Sequence, residues 1–304
     1  MFIAQPPKPV TKVSVSAEGV VDLEPRHFSL LLQLNGAMAV AHLFLCIVTL
    51  SVGNLNLSVP VYDAKWVVVA TNTSVQFKVD VHPFPVRLYL TAITATFFGI
   101  TAVFHALPVL VTPWRDFYRW SMKRAQWFAR WLEYSITTQL MLVLLAYPCG
   151  LTEIHAIAGA AWLMACCMFS GYLTELINEP ASSQKWRTPP AYQKYEWVWS
   201  LLRYAPQAAG ALAYFASWTL VLAPAVPLLF NERTPEFVPV IVVVEIVLFT
   251  SFWLVQIVVL QNEPRYFWRG EVAYIVLSLV SKATLGGLVL AYLLQADNIE
   301  EAFA

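Results

Sequence analysis

The chain has 304 residues, 59% of them hydrophobic and only 12% charged, with a formal net charge of zero. A soluble domain carries roughly 25% charged residues, so this composition points to a membrane protein. The balanced charge offers no basic surface for nucleic acid.

Residues 1 to 27 read as a polar, mostly irregular arm with Pro6, Pro7 and Pro9, and without the apolar stretch of a secretory signal. Seven apolar runs follow: Leu30 to Val52, Leu88 to Val111, Ala125 to Tyr147, Ile154 to Ile177, Val198 to Val226, Val238 to Leu260 and Val272 to Leu294. Each is about the length, roughly 20 residues, that crosses a bilayer core as a helix. Pro206 is expected to kink the fifth run and Pro224 to mark its end. The expected fold is therefore an all-α membrane protein of seven transmembrane helices, one unit over residues 28 to 296, with a tail over 297 to 304. The loop from Gly53 to Arg87 holds two β-branched runs, Lys65 to Ala70 and Val75 to Val79, around Thr71-Asn72-Thr73-Ser74. That pattern predicts a β-hairpin. Sequons at Asn56 and Asn72 in this loop hint weakly that it leaves the cytosol. Cys46, Cys149, Cys166 and Cys167 lie in or beside apolar runs and imply no disulfide framework.

The last run carries a single charge, Lys282, near its middle. An ammonium at that depth costs about 3 kcal/mol on insertion scales, so it marks a functional site or a structural ion pair. Snorkelling is easy only near helix ends. The functional reading is a desolvated amine that condenses with an aldehyde. Its counter-charge is expected to be Glu133 in the third run, which aligns with Thr137 and Met141 on one helix face. A local pair between Arg130 and Glu133 is the plainer alternative for that carboxylate. Ser278 lies one turn before Lys282 on the same face, and Gly286, one turn after, is expected to leave that face open. Phe249, Trp253 and Gln256 share one face of the sixth run, as packing residues or as the wall of a ligand pocket. Glu153, Glu175 and Glu196 lie near predicted helix ends and are expected to face water. Glu245, amid IVVVEIVLF, is read either as an ion-path group or as a structural one.

Seven helices, a lysine midway along the last, and Arg-x-x-Glu in the third resemble the microbial rhodopsins. The run RWLEYSITTQLM resembles the third-helix signature of heliorhodopsins, the inverted branch of that group, and MFSGYLTE recurs at the end of the fourth helix. Thr137, Thr138 and Gln139 stand where the signature usually has smaller residues. The resemblance spans His27 to Gln295. It implies all-trans retinal on Lys282 as a protonated Schiff base with Glu133 as counterion, and Ser278 where light-driven pumps usually place a second carboxylate. It further implies that Tyr134, Thr137, Thr138, Met141 and Trp253 line the retinal, and that His42 and His105 belong to a polar cluster near the Schiff base. A light sensor that signals by conformational change is expected. The alternative is light-gated proton conduction along a path drawn from Arg130, Glu133, Glu153, Glu175, Glu245 and the histidines. No enzyme motif is present, and neither the D-R-Y nor the N-P-x-x-Y pattern of G-protein-coupled receptors occurs. The expected partners are the bilayer, a second copy of the chain as a homodimer, and a signalling partner of unknown identity.

Loop charges set the orientation. With the N-terminus cytoplasmic, the inside segments carry twelve basic residues, from Lys8 to Arg269, and the outside segments four: Lys65, Lys78, Arg87 and Arg233. The positive-inside rule then places residue 1 in the cytosol, the hairpin and Ala304 outside. Epitope tags at the two ends of the chain in intact cells should stain without permeabilisation only at the C-terminus; surface staining of the N-terminal tag would invert this topology.

Overall fold

The structure is a computed structural model that describes residues 23–70, 75–179, 194–231, 234–262, 264–292 and 294. The N-terminal arm up to residue 22, the hairpin turn Thr71 to Ser74 with its sequon, Lys185, Arg187, Arg233 and the acidic tail lie outside them. Among the described residues there are eight α-helices and one two-stranded antiparallel sheet. In chain order they are α1 (Pro25–Val52), β1 (Ser58–Ala70), β2 (Val75–Tyr89), α2 (Leu90–Leu110), α3 (Thr112–Lys123), α4 (Phe128–Ala146), α5 (Ile154–Ile177), α6 (Glu196–Leu229), α7 (Phe237–Gln261) and α8 (Phe267–Tyr292).

Six helices, α1, α2, α5, α6, α7 and α8, are long and apolar enough to cross a membrane. The seventh, α4, has 19 residues and, at 1.5 Å per residue, also spans roughly 28 Å. It is the least apolar because it is the most enclosed. Its polar residues Arg130, Glu133, Thr137 and Thr138 are all buried against other helices rather than turned to lipid. The helices close into a ring in which α1 packs on α2 and α8, α4 lies between α2 and α5, α5 packs on α6, and α7 packs on α8.

Several boundaries differ from those read in the sequence, for one reason. Hydropathy reports what a segment touches, whereas helix ends depend on backbone hydrogen bonding and caps. Helix α1 begins at Pro25 inside the polar arm, with proline at a first-turn position where its missing N–H costs nothing. Helix α8 begins at Phe267, so Arg269 and Glu271 are helical. Pro224 does not end α6, which runs on through Pro227 to Leu229. Helix α3 has no counterpart among the apolar runs, because it is short and amphipathic, with Arg115, Arg119 and Lys123 beside Trp114, Phe117 and Trp120. Two residues beyond its end, Ala125 has a φ of 54°, in the left-handed region. That conformation costs a non-glycine residue about 1–2 kcal/mol and lets the chain reverse directly into α4.

The hairpin is longer than its two β-branched runs. Its strands pair from Ser58 with Tyr89 to Ala70 with Val75, with an irregularity between Pro60 and Tyr62. The tip is exposed, whereas Leu57, Val59 and Val61 at the base are buried in the same apolar core as α4, α5 and α8. The backbone N–H of Tyr62 donates to Thr152 O at 2.9 Å, which ties the hairpin to the start of α5. The base of the hairpin therefore seals one end of the helical ring. Close approaches between helices depend on small residues. A Cβ on Gly171 of α5 would sit 2.3 Å from the Trp131 ring of α4, and one on Gly286 of α8 would sit 2.5 Å from the Phe98 ring of α2. The face of α8 beyond Lys282 is thus filled by Phe98 and not open.

Candidate functional site

The site forms where α2, α4 and α8 converge. Lys282 is among the largest fully enclosed side chains in the protein, with 2% of its surface exposed. Its Nζ lies 3.0 Å from Glu133 Oε1 and donates to Ser278 Oγ at 2.8 Å. The same Glu133 oxygen accepts from Thr101 Oγ1 at 2.5 Å and from Thr137 Oγ1 at 2.9 Å. Three donors from three helices therefore converge on one carboxylate oxygen, and the buried charges compensate each other at hydrogen-bonding range. Arg130 takes no part in this pair, so the local Arg130–Glu133 alternative does not hold.

On one side of the ammonium lies a narrow cavity lined by Tyr134, Thr138, Met141, Met168, Phe249, Phe252, Ser281 and Lys282. Met168, Phe249 and Phe252 also border a second cavity, which reaches Trp253 and Gln256 on α7 and Tyr214 on α6. The two form an elongated, mostly apolar space with an amine at one end. Tyr134 contributes its ring, 5.0 Å beneath Lys282 Nζ, while its hydroxyl donates to Tyr274 O at 3.1 Å. Of the pocket residues expected from the sequence, Tyr134, Thr138, Met141 and Phe249 line the space beside Lys282. Trp253 and Gln256 line its far part, and Thr137 is spent on the carboxylate.

His42 and His105 stack with ring centroids 5.8 Å apart and planes 2° from parallel. His105 borders a small cavity that also touches Glu133, Arg130, Tyr134 and Glu271. Its Nδ1 lies 2.7 Å from Asn35 Oδ1, and since an amide oxygen only accepts, Nδ1 carries the proton. Neither ring nitrogen of His42 has a hydrogen-bond partner among the described residues.

A second buried charge cluster lies one turn nearer the N-terminus of α4. Arg130 binds Glu175 of α5 with one terminal nitrogen and Glu271 of α8 with the other. Its guanidinium also covers the Tyr274 ring at 4.2 Å. The extra carboxylate charge is met by neutral donors, Tyr118 Oη to Glu271 Oε1 at 3.2 Å and the Trp127 N–H to Glu175 Oε2 at 2.9 Å. Glu175 therefore does not face water. Asn35 Nδ2 reaches Tyr118 Oη at 3.3 Å, so polar contacts run from His105 through Asn35 and Tyr118 to Glu271 and Arg130. Glu245 is fully buried in α7, and neither carboxylate oxygen has a hydrogen-bond partner among the described residues. Glu153 is at the protein surface, where it caps α5 by accepting from the Ala156 N–H at 2.6 Å. Glu196 opens α6 at an exposed position.

Sequence reasoning missed Thr101, Glu271 and Tyr274. One signal was available: Glu271, Ser278 and Lys282 are spaced i, i+7, i+11, a single stripe along α8. Thr101 likewise precedes His105 by one turn on α2.

A ring of seven membrane-spanning helices enclosing a lysine–carboxylate pair beside an apolar cavity defines a helical membrane protein with a buried, charge-compensated amine in its interior. The heliorhodopsin family matches residues 31–294, and the chain belongs to that family. It is an integral, multi-pass, retinal-binding rhodopsin. The residues fit the chromophore on their own terms, with an enclosed amine, a compensating carboxylate, and walls of methionine and aromatic side chains. Comparison with curated proteins gives no match. Among solved structures, a light-driven proton pump LR (Mac) from Leptosphaeria maculans aligns over 91% of this chain and 95% of its own, at 14% identity and a TM-score of 0.41.

Removing the Arg130 guanidinium would leave two carboxylates buried against each other. Breaking a buried ion pair by deleting one partner costs about 3–5 kcal/mol. Arg130→Met should therefore lower the thermal midpoint of the pigment steeply, and adding Glu175→Gln and Glu271→Gln to it should recover much of the loss. Thermal denaturation followed by visible absorbance measures both; a drop worth less than about 1 kcal/mol in Arg130→Met would mean the cluster is not ionised.

Proposed function

We propose that this protein is a light sensor in which Lys282 holds all-trans retinal, Glu133 is the counterion, and rearrangement of the Arg130 cluster carries the signal, within the unit formed by residues 28 to 296. The observation that supports this most directly is the 3.0 Å contact between Lys282 Nζ and Glu133 Oε1, fully enclosed at the mouth of an apolar cavity. The chromophore, when bound through its aldehyde carbon to Lys282, supplies light absorption and isomerisation. Glu133 holds the positive charge on the lysine nitrogen where both side chains are buried. Thr101 and Thr137 orient that carboxylate by donating to the oxygen that faces the nitrogen. Ser278 accepts from the nitrogen and supplies no second negative charge, so a proton leaving it has Glu133 as its nearest anionic acceptor. Met141, Met168, Phe249 and Phe252 give the cavity an apolar wall drawn from α4, α5 and α7. The polar contacts through His105, Asn35 and Tyr118 join this region to Glu271 and Arg130, which tie α4, α5 and α8 together near the N-terminal end of α4. That end is cytoplasmic in the orientation favoured by the loop charges, beside α3, and there a signalling partner can read the change.

A second reading, light-gated proton conduction, rests on Glu245. A buried carboxylate without hydrogen bonds is expensive in a segment rich in valine and isoleucine, unless protons or water use it. A conducting chain needs protonatable groups that reach both faces. Glu133, His105 and Glu245 supply some of these, whereas the Arg130 cluster places a paired cation across the path at one end.

The attachment is tested by colour. Protein produced with all-trans retinal should absorb in the visible, and Lys282→Ala should be colourless. Covalent pigment retained in Lys282→Ala would overturn the assignment. Glu133→Gln removes the negative charge, and the visible band should either move to longer wavelength or give way to an ultraviolet-absorbing form; a spectrum and pH titration identical to wild type would exclude Glu133 as counterion.

Voltage clamp separates sensor from channel. The sensor reading expects no photocurrent at either polarity or across a pH gradient in cells with confirmed surface pigment. The conduction reading expects currents that reverse near the proton equilibrium potential and shrink in Glu245→Gln while the pigment remains.

A further inference from the structure

Where α3 turns into α4, the surface carries a groove with apolar walls and a polar floor. One wall belongs to α3 and consists of Phe117 and Trp120, stacked with ring centroids 5.9 Å apart and planes 19° from parallel. The facing wall is Phe128 at the start of α4 with Tyr172 and Leu176 near the end of α5, its two rings edge to face at 5.2 Å. Trp120 is 49% exposed, and Phe128 and Leu176 are 38% exposed, so both walls stand open. An exposed apolar patch with a polar border marks an interaction site or a membrane contact.

The floor differs. Gln126 is 6% exposed and Ser121 is 1% exposed, and both line the groove. Neither side chain makes a hydrogen bond among the described residues, and neither has its polar atoms sealed away, so both open into the groove. A nine-tenths buried amide without a partner is uncommon and calls for a group that completes it. Arg124 closes the end of the groove. Its Nη1 lies 2.5 Å from Glu179 Oε1, and its guanidinium lies 4.7 Å over the Trp120 ring. The remaining N–H groups of the guanidinium meet no other acceptor among the described residues, so they are available to a second anion. The surrounding charge is positive on balance: Arg115, Arg119, Lys123 and Arg124 lie between α2 and α4 with Asp116, and Glu179 stands across the groove.

We infer that this groove binds an anionic phospholipid, with the phosphate held by Gln126, Ser121 and Arg124 and an acyl chain laid against the aromatic walls. Each part of such an amphiphile meets its match. The phosphate oxygens accept from an amide, a hydroxyl and a guanidinium, the last being a charge-assisted contact. The chain covers apolar side chains that the protein leaves open. Helix α3 is a short amphipathic helix of the kind that lies in the membrane interface. In the orientation favoured by the loop charges it lies on the cytoplasmic side, where anionic lipids attract basic segments. A soluble partner would have to displace lipid to cover Phe128 and Leu176, which sit on membrane-spanning helices, whereas a phospholipid is already present there.

The test uses the full-length pigment in nanodiscs that hold phosphatidylglycerol and phosphatidylcholine in equal amounts with matched acyl chains. Native mass spectrometry counts the lipids that stay on the protein once the disc is stripped away. Wild type should retain phosphatidylglycerol in preference to phosphatidylcholine. In the double variant Ser121→Ala/Gln126→Leu that retention should fall about 10-fold, the scale of one hydrogen bond to a charged group. The double variant changes no charge and breaks no side-chain hydrogen bond among the described residues, so its colour and its thermal midpoint in phosphatidylcholine alone should match wild type. A loss of lipid there cannot come from general attraction to the basic loops. If the double variant fails to fold, Trp120→Ala, at a half-exposed position, carries the test by removing part of one wall, and its retention should fall likewise. Equal retention of the two lipids by wild type, or undiminished retention of phosphatidylglycerol in the variant that folds, would overturn the inference. So would a wild type that retains neither lipid, the result expected if a protein partner or residues 180–193 of this chain cover the groove.

Discussion

The enclosed pair between Lys282 and Glu133 is the constraint on which the rest of the architecture depends. Neither charge is tolerable alone in a dry interior, where an unpaired ion costs several kcal/mol. Each is acceptable because the other stands 3.0 Å away. Holding that distance requires α4 and α8 to face each other in fixed register, and Thr101 of α2 to supply a third point of support. The ring of helices is closed around that contact, and the apolar cavity exists where the ring cannot close over the lysine.

Charge compensation is repeated along α4 on a second scale. Arg130 lies one turn before Glu133, yet it binds carboxylates from α5 and α8. The helix thereby presents a negative charge to one neighbour and a positive charge to two others, all of them buried. These opposite demands fix its rotation and depth more tightly than apolar packing would, since lipid and protein interior are similarly apolar and helix association in a bilayer draws on packing and polar contacts.

Much of this was legible in the residues, and the parts that were not share a cause. A lysine at mid-membrane depth and a glutamate two turns into a span are costly enough to be recognised singly, and their pairing follows from charge. The α5 boundaries agree with the apolar run from Ile154 to Ile177 residue for residue, because that helix faces lipid and is capped by Glu153. Helices α1 and α8 extend beyond their apolar runs through polar turns that are helical by hydrogen bonding and invisible to hydropathy. For Arg130 only a local alternative, pairing with Glu133, could be named, because spacing within one helix is visible in a sequence, whereas the convergence of Glu175 and Glu271, 45 and 141 residues downstream, is a property of the closed ring. Glu271 escaped notice for the same reason, since its run of Trp268, Arg269 and Glu271 reads as a loop.

The composition of α4 also bears on how the protein is made. The segment enters the membrane carrying an arginine and a glutamate, each costing about 2.5–3.5 kcal/mol at the centre of an isolated helix and less near its ends. Its compensating groups are synthesised later, Glu175 at the end of α5 and Glu271 and Lys282 on the last helix. During translation α4 is therefore a marginal span that cannot be released into lipid by its own hydrophobicity. It must stay beside the insertion machinery, or lean on α2 through Thr101, until the C-terminal helix arrives. Assembly of this protein is thus completed from its last helix backwards, and truncation anywhere before α8 leaves a helix in the middle of the chain without the charges that justify its position.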